Sequence, residues 1–222
     1  YHDVSDKEGI RSNSVYSLLV DDRGAVWVGH FQAGLDYSLY QNGLFRTYAY
    51  PPLFNSANLS IRSFISRGQE KVIGSRDGLF YINEATGMVK SFVKPVLTSD
   101  LILTISFYQG EYYIGTYGGG MMVLNPETLS LKYFSQSDTE LFQKGHIFCV
   151  KPDTKGNLWI GTSQGLFNYN GQTKQIKHFT SANSQLLEGN VYEVSFDSTG
   201  KGWIATETGM CIYDPASQNL RS

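Results

Sequence analysis

The sequence predicts an all-β fold, a β-propeller of four-stranded antiparallel blades, on three observations. A Trp-Ile-Gly-Thr stretch, intact at 159–162, recurs in altered form four more times at nearly constant spacing. Short apolar runs are separated throughout by glycine and by Asn or Asp turn formers. No segment carries a 3.6-residue apolar period over ten residues, as a helical repeat would require.

The spacing is the strongest of these signals. The anchor falls at Gly29, Gly74, Gly115, Gly161 and Ala205, in steps of 45, 41, 46 and 44 residues. A four-stranded propeller blade takes about 40–50 residues, so each step is one blade. The repeat units run about 14–59, 60–99, 100–145, 146–189 and 190–222. The chain, 1–222, is expected to be a single segment of a larger propeller.

Each unit divides into four strands. First strands are predicted at 15–20, 61–65, 102–107, 147–150 and 191–196. A tight turn follows, with Gly24, Gly156 and Gly200 supplying the left-handed residue of a short hairpin loop. Second strands end on the anchor, at 27–30, 72–75, 113–116, 159–162 and 203–206. Third strands follow at 35–39, 79–82, 121–124, 166–169 and 210–213. Turns such as Asn42-Gly43, Asn125-Pro126 and Asn170-Gly171 lead into fourth strands at 44–48, 89–92, 131–134 and 175–179. The fifth unit is expected to stop at Ser222 without its fourth strand, and Tyr1 to end the fourth strand of a preceding blade.

The repeating residues read as scaffold. Trp27, Trp159 and Trp203 share one position, with Tyr113 and Val72 replacing them in the other units. A large aromatic at blade period is expected to pack between blades. Gly29, Gly74, Gly115 and Gly161 let neighbouring backbones approach closely. The hydroxyls of Thr116, Thr162 and Thr206 are expected to bond the following turn.

Asn13-Ser14-Val15-Tyr16 through Trp27-Val28-Gly29, Asn190-Val191-Tyr192 through Trp203-Ile204-Ala205, and Leu124-Asn125-Pro126-Glu127-Thr128 together follow one pattern. It resembles the two-component regulator propeller repeat, and the resemblance covers essentially the whole chain. Val72 for Trp, Ala205 for Gly and the short first hairpins of units two and three depart from it. The resemblance implies the periplasmic sensor region of a membrane-anchored hybrid two-component histidine kinase. It implies recognition of an oligosaccharide or polysaccharide fragment and signalling to polysaccharide-utilisation genes. The kinase, the membrane span and any homodimer contact would lie outside this chain. The alternatives are a protein-interaction platform and a propeller lyase or glycoside hydrolase.

Composition narrows the classes. Hydrophobic residues are 41% and charged residues 17%, as in a packed globular chain. The net charge is −2 with no Lys/Arg run, which argues against a nucleic-acid partner. Cys149 and Cys211 are too few for a disulfide framework and read as buried thiols. His2, His30, His146 and His178 have no metal spacing, so no metal is expected. Gly118-Gly119-Gly120 lacks the Lys-Ser/Thr of a phosphate loop, and no cofactor is expected. Asp22 fits the Asp-box of sialidases, but Thr154 and Ser198 stand at the equivalent places, and no paired acid and base stands out. No catalytic residue is assigned.

Ligand-binding candidates sit in the turns after the second strands, because propeller sites lie in loops at one face. They are His30, Phe31, Gln32, Arg76, Asp77, Tyr117, Gln164 and Glu207. Tyr117, Phe31 and Arg76 lead, since sugars favour aromatic stacking beside polar partners. These residues differ from unit to unit while the frame repeats. Unconstrained surface loops vary in the same way.

Overall fold

A computed structural model of the chain describes residues 9–38, 44–48, 59–135 and 140–222. Tyr1, His2, Leu39 and the Asn42-Gly43 turn lie outside the described residues. Five four-stranded antiparallel sheets follow one another, the blades of a β-propeller. The first holds β1 (Val15–Val20), β2 (Val26–His30), β3 (Leu35–Ser38) and β4 (Phe45–Thr47). The second holds β5 (Ile61–Arg67), β6 (Glu70–Ser75), β7 (Leu79–Asn83) and β8 (Met88–Phe92). The third holds β9 (Ile102–Tyr108), β10 (Glu111–Thr116), β11 (Met121–Leu124) and β12 (Leu131–Tyr133). A single helical turn, α1 (Leu141–Lys144), precedes the fourth, β13 (Ile147–Pro152), β14 (Asn157–Thr162), β15 (Gly165–Asn170) and β16 (Ile176–Phe179). The fifth holds β17 (Val191–Phe196), β18 (Gly202–Thr206), β19 (Gly209–Asp214) and β20 (Asn219–Arg221). In every sheet the strands lie in sequence order. Among the described residues no helix is long and apolar enough to cross a membrane.

The fifth sheet corrects one expectation. Its fourth strand is present: Asn219, Leu220 and Arg221 pair with Asp214, Tyr213 and Ile212. Three residues with one buried apolar side chain, Leu220, are too short to display alternation, which is why the strand escapes a periodicity reading.

The chain divides into two compact units, 1–105 and 106–222. In the first, Ile61 and Phe64 of β5 join a core with Trp27, Leu35 and Ile73. In the second, Ile147 and Val150 of β13 join Tyr113, Met121 and Phe134. Val191 and Val194 of β17 join Trp159, Leu166 and Phe179. β5, β13 and β17 thus each send in residues three apart, which a strict two-residue alternation would put on opposite faces. A register shift resolves the conflict. Ile61 pairs with Ser75 and Ser63 with Gly74, so Arg62 is an extra residue. The same shift makes Tyr16 extra in β1, Phe148 in β13 and Tyr192 in β17. Each is a β-bulge, which bends the strand and re-aims one side chain.

The Asp-x-x-Gly turn has a more specific basis than glycine alone. Asp153 accepts from the Lys155 and Asn157 amides at 2.9 and 2.8 Å, and from the Trp159 indole Nε1 at 2.9 Å. Gly156 takes the left-handed conformation at φ 78° that closes the loop. Asp21 repeats the arrangement with the Arg23 and Ala25 amides and the Trp27 indole. Burial works against ionisation of Asp21, but the indole and amide donors and the Arg23 charge outweigh it and hold its carboxyl below the ordinary value. The carboxylate therefore ties the turn to the aromatic that packs between sheets.

Those aromatics behave as expected in two of three copies. Trp27 lies 4.9 Å from Phe64 of the next sheet, and Trp159 lies 4.5 Å from Tyr213 and 5.9 Å from Phe196. Trp203 differs. It is 38% exposed and packs between no pair of sheets among the described residues. The anchor glycines follow the same logic. A Cβ on Gly161 would lie 2.6 Å from both the Cys149 Sγ and the Val191 carbonyl oxygen, and one on Gly74 would lie 2.5 Å from Ile102. Ala205, at the fifth anchor, is exposed, so its Cβ meets no such crowding. Gly161→Ala is expected to cost about 1–3 kcal/mol in chemical denaturation. A variant as stable as the parent would show that the sheets do not approach at this point.

Both cysteines are free and buried. Burial pushes the Cys149 thiol up to about 12, which leaves it an inert part of the core.

Candidate functional site

The turns after the second strands are built by one local device. Side-chain hydroxyls of Ser75, Thr116, Thr162 and Thr206 donate to the carbonyls of Gly78, Gly120, Gly165 and Gly209 at 2.8–3.0 Å. The next amide reaches the start of the first strand of the same sheet. Phe31 donates to Ser14, Arg76 to Ser60, Ser163 to His146 and Glu207 to Asn190, at 2.9–3.2 Å. Turn and strand entry therefore share one edge of each blade, and the bulge residue lies one step inside it.

His30 stands where the other blades carry Ser or Thr, and its role differs from the expectation of a surface ligand group. Its side chain is fully buried, with Nε2 2.9 Å from Asp36 Oδ2. Asp36 is buried too, and accepts from the Arg11 amide at 2.8 Å and from Arg11 Nε at 3.1 Å. Burial opposes ionisation of Asp36, but the His30 hydrogen bond, the Arg11 amide and the Arg11 charge prevail and hold its carboxyl low. The group is a structural clasp between the segment before β1 and the first sheet.

The remaining candidates divide between the two units. In the first, Phe31 meets Tyr16 edge-on at 5.2 Å, and the Arg62 guanidinium lies 4.7 Å above the Tyr16 ring. Gln32, Arg76 and Asp77 are exposed, Gln32 in the left-handed conformation at φ 58°. In the second unit, Tyr117 stacks on His146 at 4.0 Å with 22° between the rings. His146 lies 6.2 Å from Phe148, and Phe148 meets Tyr192 edge-on at 5.1 Å. Asn190 Nδ2 closes the row, donating to the Tyr192 hydroxyl and to Glu207 Oε2, each at 3.1 Å. Tyr117 and Glu207 are thus brought to the two ends of one aromatic ladder. Gln164 is not part of it; its carbonyl bonds His178 Nε2 at 2.8 Å instead.

His146, Phe148 and Tyr192 are missing from the sequence-based candidates. The bulges at Phe148 and Tyr192 leave only an indirect mark in the sequence, apolar core positions three apart where alternation would put them two apart. Chemically the ladder offers the half-exposed rings of Tyr117 and Tyr192, 49% and 44% exposed, beside an amide and a carboxylate. His146 Nδ1 is buried and has no hydrogen-bond partner among the described residues. Among the described residues no group of three His, Cys, Asp or Glu could hold a metal ion.

The family model described as two component regulator propeller matches residues 9–32 and 142–164, each spanning a strand entry, a bulge and flanking turn residues. At these two segments the chain resembles that repeat family. Among solved structures, the extracellular domain of the hybrid two component system BT3049 from B. thetaiotaomicron is similar over the whole of this chain. It is 26% identical with a TM-score of 0.74, and the match takes in 30% of that structure's length. The extracellular domain of BT4673 from the same organism matches 96% of this chain and 34% of its own length, with 18% identity and a TM-score of 0.62. PorZ, a surface component of the type-IX secretion system of Porphyromonas gingivalis, matches 95% and 33% at 16% identity and a TM-score of 0.72. At 18% and 16% identity these last two share the fold alone. The chain spans about a third of the length of these structures. No curated protein matches it in sequence.

Proposed function

We propose that this chain is a non-catalytic, ligand-sensing propeller segment in the extracytoplasmic region of a hybrid two-component sensor, and that its ligand is a glycan fragment. The resemblance to two-component regulator propeller repeats and the likeness to the BT3049 extracellular domain support the sensor reading and an extracytoplasmic, periplasmic placement. The histidine kinase and its transcriptional output belong to the rest of such a protein. The observation that carries the glycan reading is the ladder from Tyr117 to Tyr192. Its ring faces can stack on the C–H faces of a sugar, and Asn190 and Glu207 can bond its hydroxyls.

An oligosaccharide array followed by calorimetry tests this. Tyr117→Ala and Tyr192→Ala are each expected to weaken binding of a retained oligosaccharide about tenfold, the equivalent of about 1.4 kcal/mol, at unchanged stability. A protein that binds no saccharide would sink the glycan reading, and binding indifferent to both substitutions would sink the site.

A further inference from the structure

The 1–105 unit carries a group of its own at the strand entries. Tyr16 and Arg62 are the bulge residues of β1 and β5, each skipped by the cross-strand register. Their side chains meet across the two sheets. The Arg62 guanidinium lies 4.7 Å above the Tyr16 ring, and Phe31 meets that ring edge-on at 5.2 Å. The backbone beneath them is pinned at Ser60, which is 2% exposed. Ser60 Oγ accepts from the Gln32 amide at 3.3 Å, and its carbonyl accepts from the Arg76 amide at 3.1 Å. The Gly34 amide donates to the Leu59 carbonyl at 3.0 Å. The turn of the first sheet and the strand entry of the second therefore form one frame.

Arg62 is set apart by what it does not touch. Arg11, Arg23 and Arg67 each lie against a carboxylate, those of Asp36, Asp21 and Glu70, at 3.1–3.9 Å. Among the described residues no carboxylate stands at such a distance from Arg62, and its Nε is buried with no hydrogen-bond partner. A stack on an aromatic ring offsets only part of what an unmet buried donor costs. Stacking also occupies the face of a guanidinium and leaves its terminal N–H groups, which lie in the plane, pointing outward. The result is a partly buried cation, fixed in place by Tyr16, with donors that nothing in the unit's described residues takes up. Hydrogen bonds from such a cation to an anion are the strong kind, and a preset frame loses little order when they form.

We propose that Arg62, seated on Tyr16, binds the carboxylate of a ligand, and that the Tyr16 and Phe31 rings pack against the apolar part that carries it. That the carboxylate belongs to a uronic acid residue rests on the glycan reading above; the carboxylate site itself does not. The competing account of the same residues is structural, with the guanidinium as a strut that joins two first strands through the Tyr16 ring.

Calorimetry of the full chain against a uronate-containing oligosaccharide, the same oligosaccharide with its carboxyls reduced, and benzoate separates these accounts. The uronate ligand is expected to bind, to weaken with added salt, and to lose about tenfold or more in Arg62→Gln, while the carboxyl-reduced ligand does not distinguish parent from variant. Arg76→Gln removes the same charge from an exposed arginine of the same sheet and is expected to leave affinity unchanged. Benzoate that binds the parent and is lost in Arg62→Gln, with no oligosaccharide bound at all, keeps the carboxylate site and removes the glycan reading. Equal losses in Arg62→Gln and Arg76→Gln would reduce the effect to general charge and overturn the proposal. So would an Arg62→Gln variant that loses urea stability without losing affinity for any probe, which assigns the strut, and so would a parent that binds none of the three. If Arg62→Gln does not fold, Arg62→Lys carries the comparison: it keeps the charge without the planar fork, and unchanged affinity for the uronate ligand overturns the proposal.

Discussion

Trp159→Ala is expected to lower the stability of the 106–222 unit by about 3–5 kcal/mol, the range for removing a buried aromatic from a packed core. The indole is fully buried, stacked 5.9 Å from Phe179 and in contact with Phe196 and Tyr213. Its removal also leaves Asp153 without the indole donor. Trp159→Phe keeps one aromatic ring and forfeits the hydrogen bond together with the packing of the five-membered ring, an intermediate cost of about 2–3 kcal/mol. Trp203→Ala, at the same repeat position but 38% exposed, is expected to cost much less. Urea denaturation of the three variants checks the series. Equal costs at 159 and 203 would mean that packing between sheets is not what the tryptophan contributes.

Asp36→Ala is expected to cost about 3 kcal/mol, since it strips a buried partner from His30 and releases the Arg11 segment. Asp36 also makes stability depend on acid. Its folded carboxyl titrates below its ordinary value of 3.8, so its contribution is complete above that value. The contribution is lost as the pH falls through the lower, folded-state pKa. Asp21, depressed in the same direction, adds to the same acid window. Asp36→Asn is expected to flatten the fall of the urea midpoint below about pH 4 while lowering it at neutral pH. An unchanged acid limb in that variant would remove the clasp as a source of the pH dependence.

Most of the scaffold is legible in the sequence because it repeats. Anchor spacing locates the blades, and Thr116, Thr162 and Thr206 bond the turn glycines as their position predicts. The part that is not legible depends on partners outside the repeat. His30 occupies a turn position, and its burial follows from Asp36 and Arg11, which have no counterpart in other units. Tyr117 is readable as an exposed aromatic in a turn. Its continuation through His146, Phe148 and Tyr192 joins residues from three sheets, which no local pattern contains. The β20 strand is lost for lack of length, and the bulges are hidden because they break the alternation that identifies strands.

The bulges carry a consequence for how such a protein changes over time. In β1, β5, β13 and β17 the extra residue, Tyr16, Arg62, Phe148 or Tyr192, has no pairing partner across the ladder. The core contacts in β5, β13 and β17 are made by the residues on either side of it. A substitution there alters what the blade displays and leaves the packing and register beneath it untouched. Each of these blades therefore has one position at which selection can try tyrosine, arginine or phenylalanine at little expense to folding. Recognition can drift from one ligand to another while the architecture stands still.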